Sequence, residues 1–232
     1  MKKFLPQEAL KIIACLTMLI DHVAAVFLPW EAALPLRIVG RIAFPVFCFL
    51  LAEGAYYTRN PLKYGLRLLL GVALAEVPFD LLFYGSVTWE HSSVIVTLFL
   101  GLIAIVAVQK IPFEWLKVPV AGLCVIAAEA LGTDYGWLGV IMILGMYFAR
   151  DAKYPAIIRA MVLVVVNWAF NSYPVPVVGD ITIPIQMFAV LALIPIELYS
   201  GKKLTANPVM KWGFYLFYPV HITVLLLISI FR

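Results

Sequence analysis

Residues 9–28 read ALKIIACLTMLIDHVAAVFL, an apolar run broken in its interior by the ionisable pair Asp21-His22. A helix rises 1.5 Å per residue, so about 20 apolar residues match the roughly 30 Å hydrocarbon core of a bilayer. The run is therefore long enough to span. A carboxylate and an imidazole at that depth are costly, and such groups face a protein interior or a wet cavity. The pair thus marks both a membrane fold and a candidate site within it.

The rest of the chain repeats the membrane signal. Of 232 residues, 64% are hydrophobic and 13% charged, against about 45–50% and about 25% in soluble domains. The formal net charge of +4 fits loop lysines and arginines that set orientation, and no nucleic-acid partner is expected. Cys15, Cys48 and Cys124 stand singly inside apolar runs, which reads as buried thiols with no metal site or disulfide framework. Met1-Lys2-Lys3 before an apolar run resembles the start of a signal peptide. The run is too long for that, and Asp21-His22 interrupts it before any A-x-A site, so a retained first helix is expected.

Breakers and apolar lengths predict an all-α, polytopic membrane protein of about nine transmembrane helices in one domain, 1–232. The expected helices are Ala9–Leu28, Leu34–Tyr57, Lys63–Tyr84, Ser93–Gln109, Lys117–Leu131, Tyr135–Ala149, Pro155–Phe170, Ile183–Tyr199 and Pro208–Phe231. With Lys2 and Lys3 in the cytoplasm, alternate loops hold Arg59, Lys63 and Arg67, then Lys110 and Lys117, then Arg150, Lys153 and Arg159, then Lys202, Lys203 and Lys211. The other loops hold almost none, which predicts a cytoplasmic N-terminus and an outer C-terminus.

This topology sets His22 and Arg41 at similar depth in the outer half of the membrane. His22 is either a general base or a packing hydrogen-bond partner. Asp21 is a poor direct partner for it, because successive helical side chains diverge by about 100°. Arg41, in GRIAFPVF, is either a clamp on a carbonyl or anionic group or one half of an ion pair with Asp21, Glu76 or Asp80. Glu76 and Asp80, in AEVPFD, share a helix face around Pro78. They orient a histidine, carry protons, or neutralise Arg37 and Arg41. Arg59, Lys63 and Arg67 are topogenic, or they hold the phosphates of a nucleotide-containing donor. Tyr218 and His221 share a face of the last helix, and His91 falls in an outer loop. Glu53, Tyr57, Tyr218 and His221 are expected to line the cavity. There is no Walker loop, G-x-S-x-G, H-E-x-x-H or C-x-x-C, so soluble-type nucleotide, serine-hydrolase and zinc-protease chemistry has no support.

Seven segments carry a family resemblance in order: LKIIACLTMLIDHVAAVF (10–27), GRIAFPVFCFLLAEGAYYTRN (40–60), AEVPFDLLFYG (75–85), VTLFLGLIAI (96–105), TDYGWLGV (133–140), IPIELYSGKK (194–203) and FYLFYPVHITVL (214–225). Together they resemble the TraX family, the F-pilin acetylases and their chromosomal relatives. A looser likeness extends to the transmembrane acyltransferase superfamily, in which His22 and Arg41 match a first-helix histidine and an arginine associated with acyl transfer. The resemblance implies an enzyme of the bacterial cytoplasmic membrane. It would move acetyl from acetyl-CoA, a donor substrate rather than a bound cofactor, to an acceptor: a peptide amine such as a pilin N-terminus, a glycan or a small molecule. His22 would be the base, Asp21, Glu76 or Asp80 would tune it, Arg41 would stabilise the oxyanion, and Arg59, Lys63 and Arg67 would hold the donor. A small proton-coupled transporter, or a structural membrane subunit of a pilus or conjugation machine, are the alternative readings.

Overall fold

The computed structural model describes residues 3–170, 172–178, 181–204 and 207–232, so Lys2, expected in the cytoplasm, lies outside the described residues. It is mostly helical: α1 (Gln7–Phe27), α2 (Trp30–Gly40), α3 (Ala43–Tyr57), α4 (Pro61–Phe83), α5 (Val94–Lys110), α6 (Glu114–Ala130), α7 (Gly136–Ala149) and α8 (Pro155–Ala169) come first. Strands β1 (Pro174–Val178) and β2 (Ile181–Pro184) follow, then a 3₁₀ segment (Ile185–Ala192), α9 (Leu193–Glu197) and α10 (Pro208–Ile230). Among the described residues, three stretches are long and apolar enough to cross a bilayer: Gln7–Phe27, Trp30–Tyr57 and Val209–Ile230. α4, at 23 residues, is also long enough but carries Lys63, Arg67, Glu76 and Asp80.

Two expected helices are corrected. Leu34–Tyr57 is not one helix but two, because the ladder breaks at Arg41 and Ile42, just after Gly40. Ile183–Tyr199 is not an α-helix. Its first residues pair as β2 with β1 in an antiparallel hairpin, Val175 opposite Ile183 and Pro176 opposite Thr182. Pro184 ends that strand, and the apolar run continues as 3₁₀ rather than α. β-Branched residues and prolines around residues 174–184 favour extended backbone, a preference that hydropathy alone does not register. The remaining expected helices form within a few residues of their expected ends. Local caps explain several boundaries: Asn60 accepts from the Lys63 N–H at 2.9 Å with Pro61 following, and Asn207 accepts from the Val209 N–H at 2.9 Å.

The chain divides into two compact units, Met1–Leu50 with Phe148–Ala206, and Leu51–Tyr147 with Asn207–Arg232. In the first, α1 packs along α2, and α8 packs on the 3₁₀ segment. The N-terminus is tied down by Phe4 and Leu5 N–H groups donating to Leu198 O at 2.9 and 3.0 Å, and by Ser200 N–H donating to Leu5 O at 2.8 Å. Arg159, 9% exposed, donates to Glu197 at 2.7 Å and lies over the Phe49 ring. A buried guanidinium needs such a partner to offset its lost hydration.

In the second unit, α4 packs on α10 and α5, and α5 on α6. Leu100 and Ala104 of α5 meet Cys124 and Ala128 of α6 and Val140 of α7 in one apolar cluster. A clasp holds the loop after α4 against the loop before α7. Ser92 N–H donates to Gly132 O at 3.0 Å, and Asp134 N–H donates to Ser92 O at 2.9 Å. Gly132 has φ +54° and faces the Glu90 carbonyl so closely that a Cβ would overlap it. Gly122, inside α6, has open space where a Cβ would go. Gly132→Ala is therefore expected to lower the thermal unfolding midpoint by several degrees, because a backbone atom must move. Gly122→Ala should raise stability by about 1 kcal/mol through helix propensity. Melting the two variants in the same detergent checks both signs.

Candidate functional site

The first unit holds a polar cluster around Asp21 in its apolar interior. Asp21 projects from α1 and is 8% exposed. Arg41 stands at the C-cap of α2, where its own N–H donates to Arg37 O and Ile38 O at 3.2 Å. Its side chain turns back, and Nε donates to Arg37 O at 3.2 Å. An arginine there adds a second donor to a carbonyl of the last turn and complements the negative end of the helix dipole. Nη2 then donates to both oxygens of Asp21, each at 2.6 Å. Nη1 donates to Gln186 Oε1 at 3.2 Å. Arg37, one turn back, places Nε 3.7 Å from Asp21 Oδ1. Two guanidinium groups therefore share one carboxylate.

Gly40 makes this meeting possible. A Cβ there would stand 2.6 Å from Asp21 Cγ, and glycine alone lets the α2 backbone lie against the carboxylate. His22 follows on α1 and is half-buried. Its Cα is 3.8 Å from that of Asp21, so it senses the cluster's field while its side chain leaves the helix in another direction.

The second unit holds the other two candidate carboxylates, Glu76 and Asp80. Glu76 accepts from Ser93 N–H at 3.2 Å and from the Ser93 hydroxyl. Asp80, 2% exposed, accepts from Thr88 N–H at 3.0 Å. Both thus accept from neutral donors of the loop before α5, while Arg41 has Asp21 as its counter-charge. Tyr218, 6% exposed, shares its surroundings with Glu76, Asp134, Ser93 and Tyr135. His221 packs edge-on to Tyr218 at 5.3 Å, as their shared face predicts. Its Nδ1 lies 2.8 Å from Phe217 O, and since a carbonyl only accepts, Nδ1 carries the proton. Tyr84, at the end of α4, stacks on His91 at 4.3 Å. Burial first, then the Asp134 and Asp80 charges, hold the Tyr84 phenol above its usual value.

The basic residues near the start of α4 divide. Arg59 and Lys63 are exposed. Arg67 lies over the rings of Tyr64 and Tyr215, 5.7 and 5.3 Å from their centroids. Glu53 is buried. Tyr57 is on the surface, its ring edge-on to Tyr56 at 5.2 Å. No group of three or more His, Cys, Asp or Glu among the described residues is arranged to hold a metal.

Sequence reasoning passed over Gln186 and Ser93. The only sequence signal for Gln186 is an amide inside the apolar run IPIQMFAVLALIP (183–195), and for Ser93 an N-cap position before α5.

A family model described as "TraX protein" matches residues 6–229. The chain is also 32% identical to the probable fimbrial assembly protein FimC, serogroup H1, of Dichelobacter nodosus, over 93% of this chain and 92% of that protein. No solved structure matches.

The buried pair makes a stability prediction. Asp21→Ala leaves two guanidinium groups without their carboxylate and should cost about 3–5 kcal/mol. Arg41→Ala leaves Asp21 with Arg37 still nearby and should cost less. Denaturant unfolding of both variants and the double variant should give losses well short of additive.

Proposed function

This chain belongs to the TraX family, and from that premise we propose that it is a membrane-embedded acetyltransferase serving pilus or fimbrial biogenesis. It would move an acetyl group from cytoplasmic acetyl-CoA to an amine or hydroxyl acceptor, with the enzyme in the bacterial cytoplasmic membrane and its N-terminus in the cytoplasm. The name of the relative, a fimbrial assembly protein, supports the setting. The observation that carries the chemistry is His22, half-buried on a helix of bilayer length beside the Asp21–Arg41 pair.

In the proposed reaction His22 takes the proton from the acceptor N–H or O–H. The acceptor attacks the thioester carbon, a C–N or C–O bond forms, and the C–S bond breaks. The coenzyme A thiolate leaves and takes up the proton that His22 removed. Asp21 is assigned to tuning His22 through space, as part of a cluster in which it holds Arg41 in place. Arg59, Lys63 and Arg67 are assigned to the donor's phosphates, which favour guanidinium and ammonium partners. Glu76 and Asp80 are assigned to proton carrying, and Tyr218 and His221 to a polar lining.

The test uses purified protein in nanodiscs, radiolabelled acetyl-CoA, and acceptors bearing a free amine or hydroxyl. His22→Ala should lower transfer by about 100-fold or more; equal transfer by both proteins would remove His22 from the mechanism. A wild-type protein that transfers no acetyl to either acceptor class would return the chain to a structural role in fimbrial assembly. The donor assignment has its own measurement. Arg59→Ala/Arg67→Ala should raise the KM for acetyl-CoA about tenfold at low salt, with the gap narrowing as salt rises. An unchanged KM at every salt concentration would leave these residues a purely topogenic role.

A further inference from the structure

Gln186 reaches the Asp21–Arg41 pair from the 3₁₀ segment and is 3% exposed. Arg41 Nη1 donates to its side-chain oxygen at 3.2 Å. A guanidinium N–H needs an acceptor, so this contact settles which end of the amide is oxygen. The amide nitrogen, Nε2, is therefore the group's remaining polar atom at the cluster. Among the described residues it is buried and has no hydrogen-bond partner. Arg37 Nε is in the same condition, buried without a hydrogen bond and 3.7 Å from the nearest Asp21 oxygen.

Buried N–H donors without acceptors are rare, because each keeps the cost of its lost hydration. Here two of them border one ion pair, and Asp21, Arg37 and Arg41 together carry one more positive than negative charge. Both unmet groups are donors, so the missing partner is an acceptor. The surplus positive charge favours an oxygen that bears or develops negative charge. Arg41 is poorly placed for that task, since its Nη2 already faces both Asp21 oxygens at 2.6 Å.

We infer that Gln186 Nε2 and Arg37 Nε are the donors that receive the carbonyl oxygen of the transferred acetyl group, which makes Gln186 a further catalytic residue. This rests on the acetyltransferase reading. When the acceptor attacks the thioester carbon, the carbonyl electron pair moves onto oxygen. When that pair returns, the C–S bond breaks and the thiolate departs. The oxygen is fully charged only between these events, so donors fixed by a buried ion pair favour the intermediate over bound substrate.

Gln186→Glu separates the two ends of the side chain. It keeps an oxygen toward Arg41 and removes the N–H donors. In nanodiscs, with acetyl-CoA and a peptide bearing a free N-terminus, it should lower kcat about 100-fold. The KM for acetyl-CoA should stay within about twofold and the thermal midpoint should not fall. If the Glu variant does not fold, Gln186→Met, of similar volume and without donors, takes its place in the same assay. Wild-type kcat in a folded donor-less variant overturns the assignment while leaving the acetyltransferase reading intact. A wild-type protein without transfer activity overturns both.

Discussion

The bond between Asp21 and Arg41 is the constraint around which the first unit is organised. A carboxylate on a membrane-length helix needs a cation or several hydrogen-bond donors, and an arginine in apolar surroundings needs an anion. Their meeting requires α1 and α2 to touch at Gly40, where any larger residue would displace the carboxylate. It also fixes where α2 ends, because Arg41 spends Nε on the carbonyl of Arg37 in the helix's last turn and Nη2 on its neighbour. The break between α2 and α3, the α1–α2 packing and the approach of Gln186 are three results of one charge balance.

The second unit meets the same problem by another route. Here Glu76 and Asp80 accept from backbone N–H groups and a hydroxyl, supplied by Thr88 and Ser93. Such donors stabilise a carboxylate only if the loop bearing them is held still. The clasp between Ser92 and residues 132–134 does this, and Gly132 is where the backbone turns tightly enough to allow it. Two carboxylates on one face of α4, a glycine with positive φ and a serine at the start of α5 are thus parts of a single arrangement. Tyr218 adds a phenol to it from α10.

Much of this was legible in the chain. The ends of α1, α4, α5, α8 and α10 follow from apolar length, from Asn60 and Asn207 as caps, and from Pro61 and Pro155 at first turns. Asp21, Arg41, Glu76 and Asp80 stand out because each is an ionisable group where hydrocarbon would be cheaper. Two features were not legible. Nothing in LPLRIVGRIAFPVF says that the helix stops at Arg41, since the stop depends on a side chain drawn toward Asp21. Nor does hydropathy separate the hairpin and 3₁₀ segment of 174–192 from an ordinary apolar helix, because apolar content is the same in all three.

By itself the sequence determined the class of molecule, most helix boundaries, the family and the residues whose charge demands an explanation. These are properties of composition and of neighbours within a turn or two, and they survive without knowledge of the fold. Only the tertiary structure decided that Asp21, among three carboxylates of equal charge, pairs with Arg41. Only it brought Gln186 to that pair across 145 positions of chain. Charge is written in the residue type, but partnership depends on which backbones approach closely, and at Asp21 that rests on the missing side chain of Gly40.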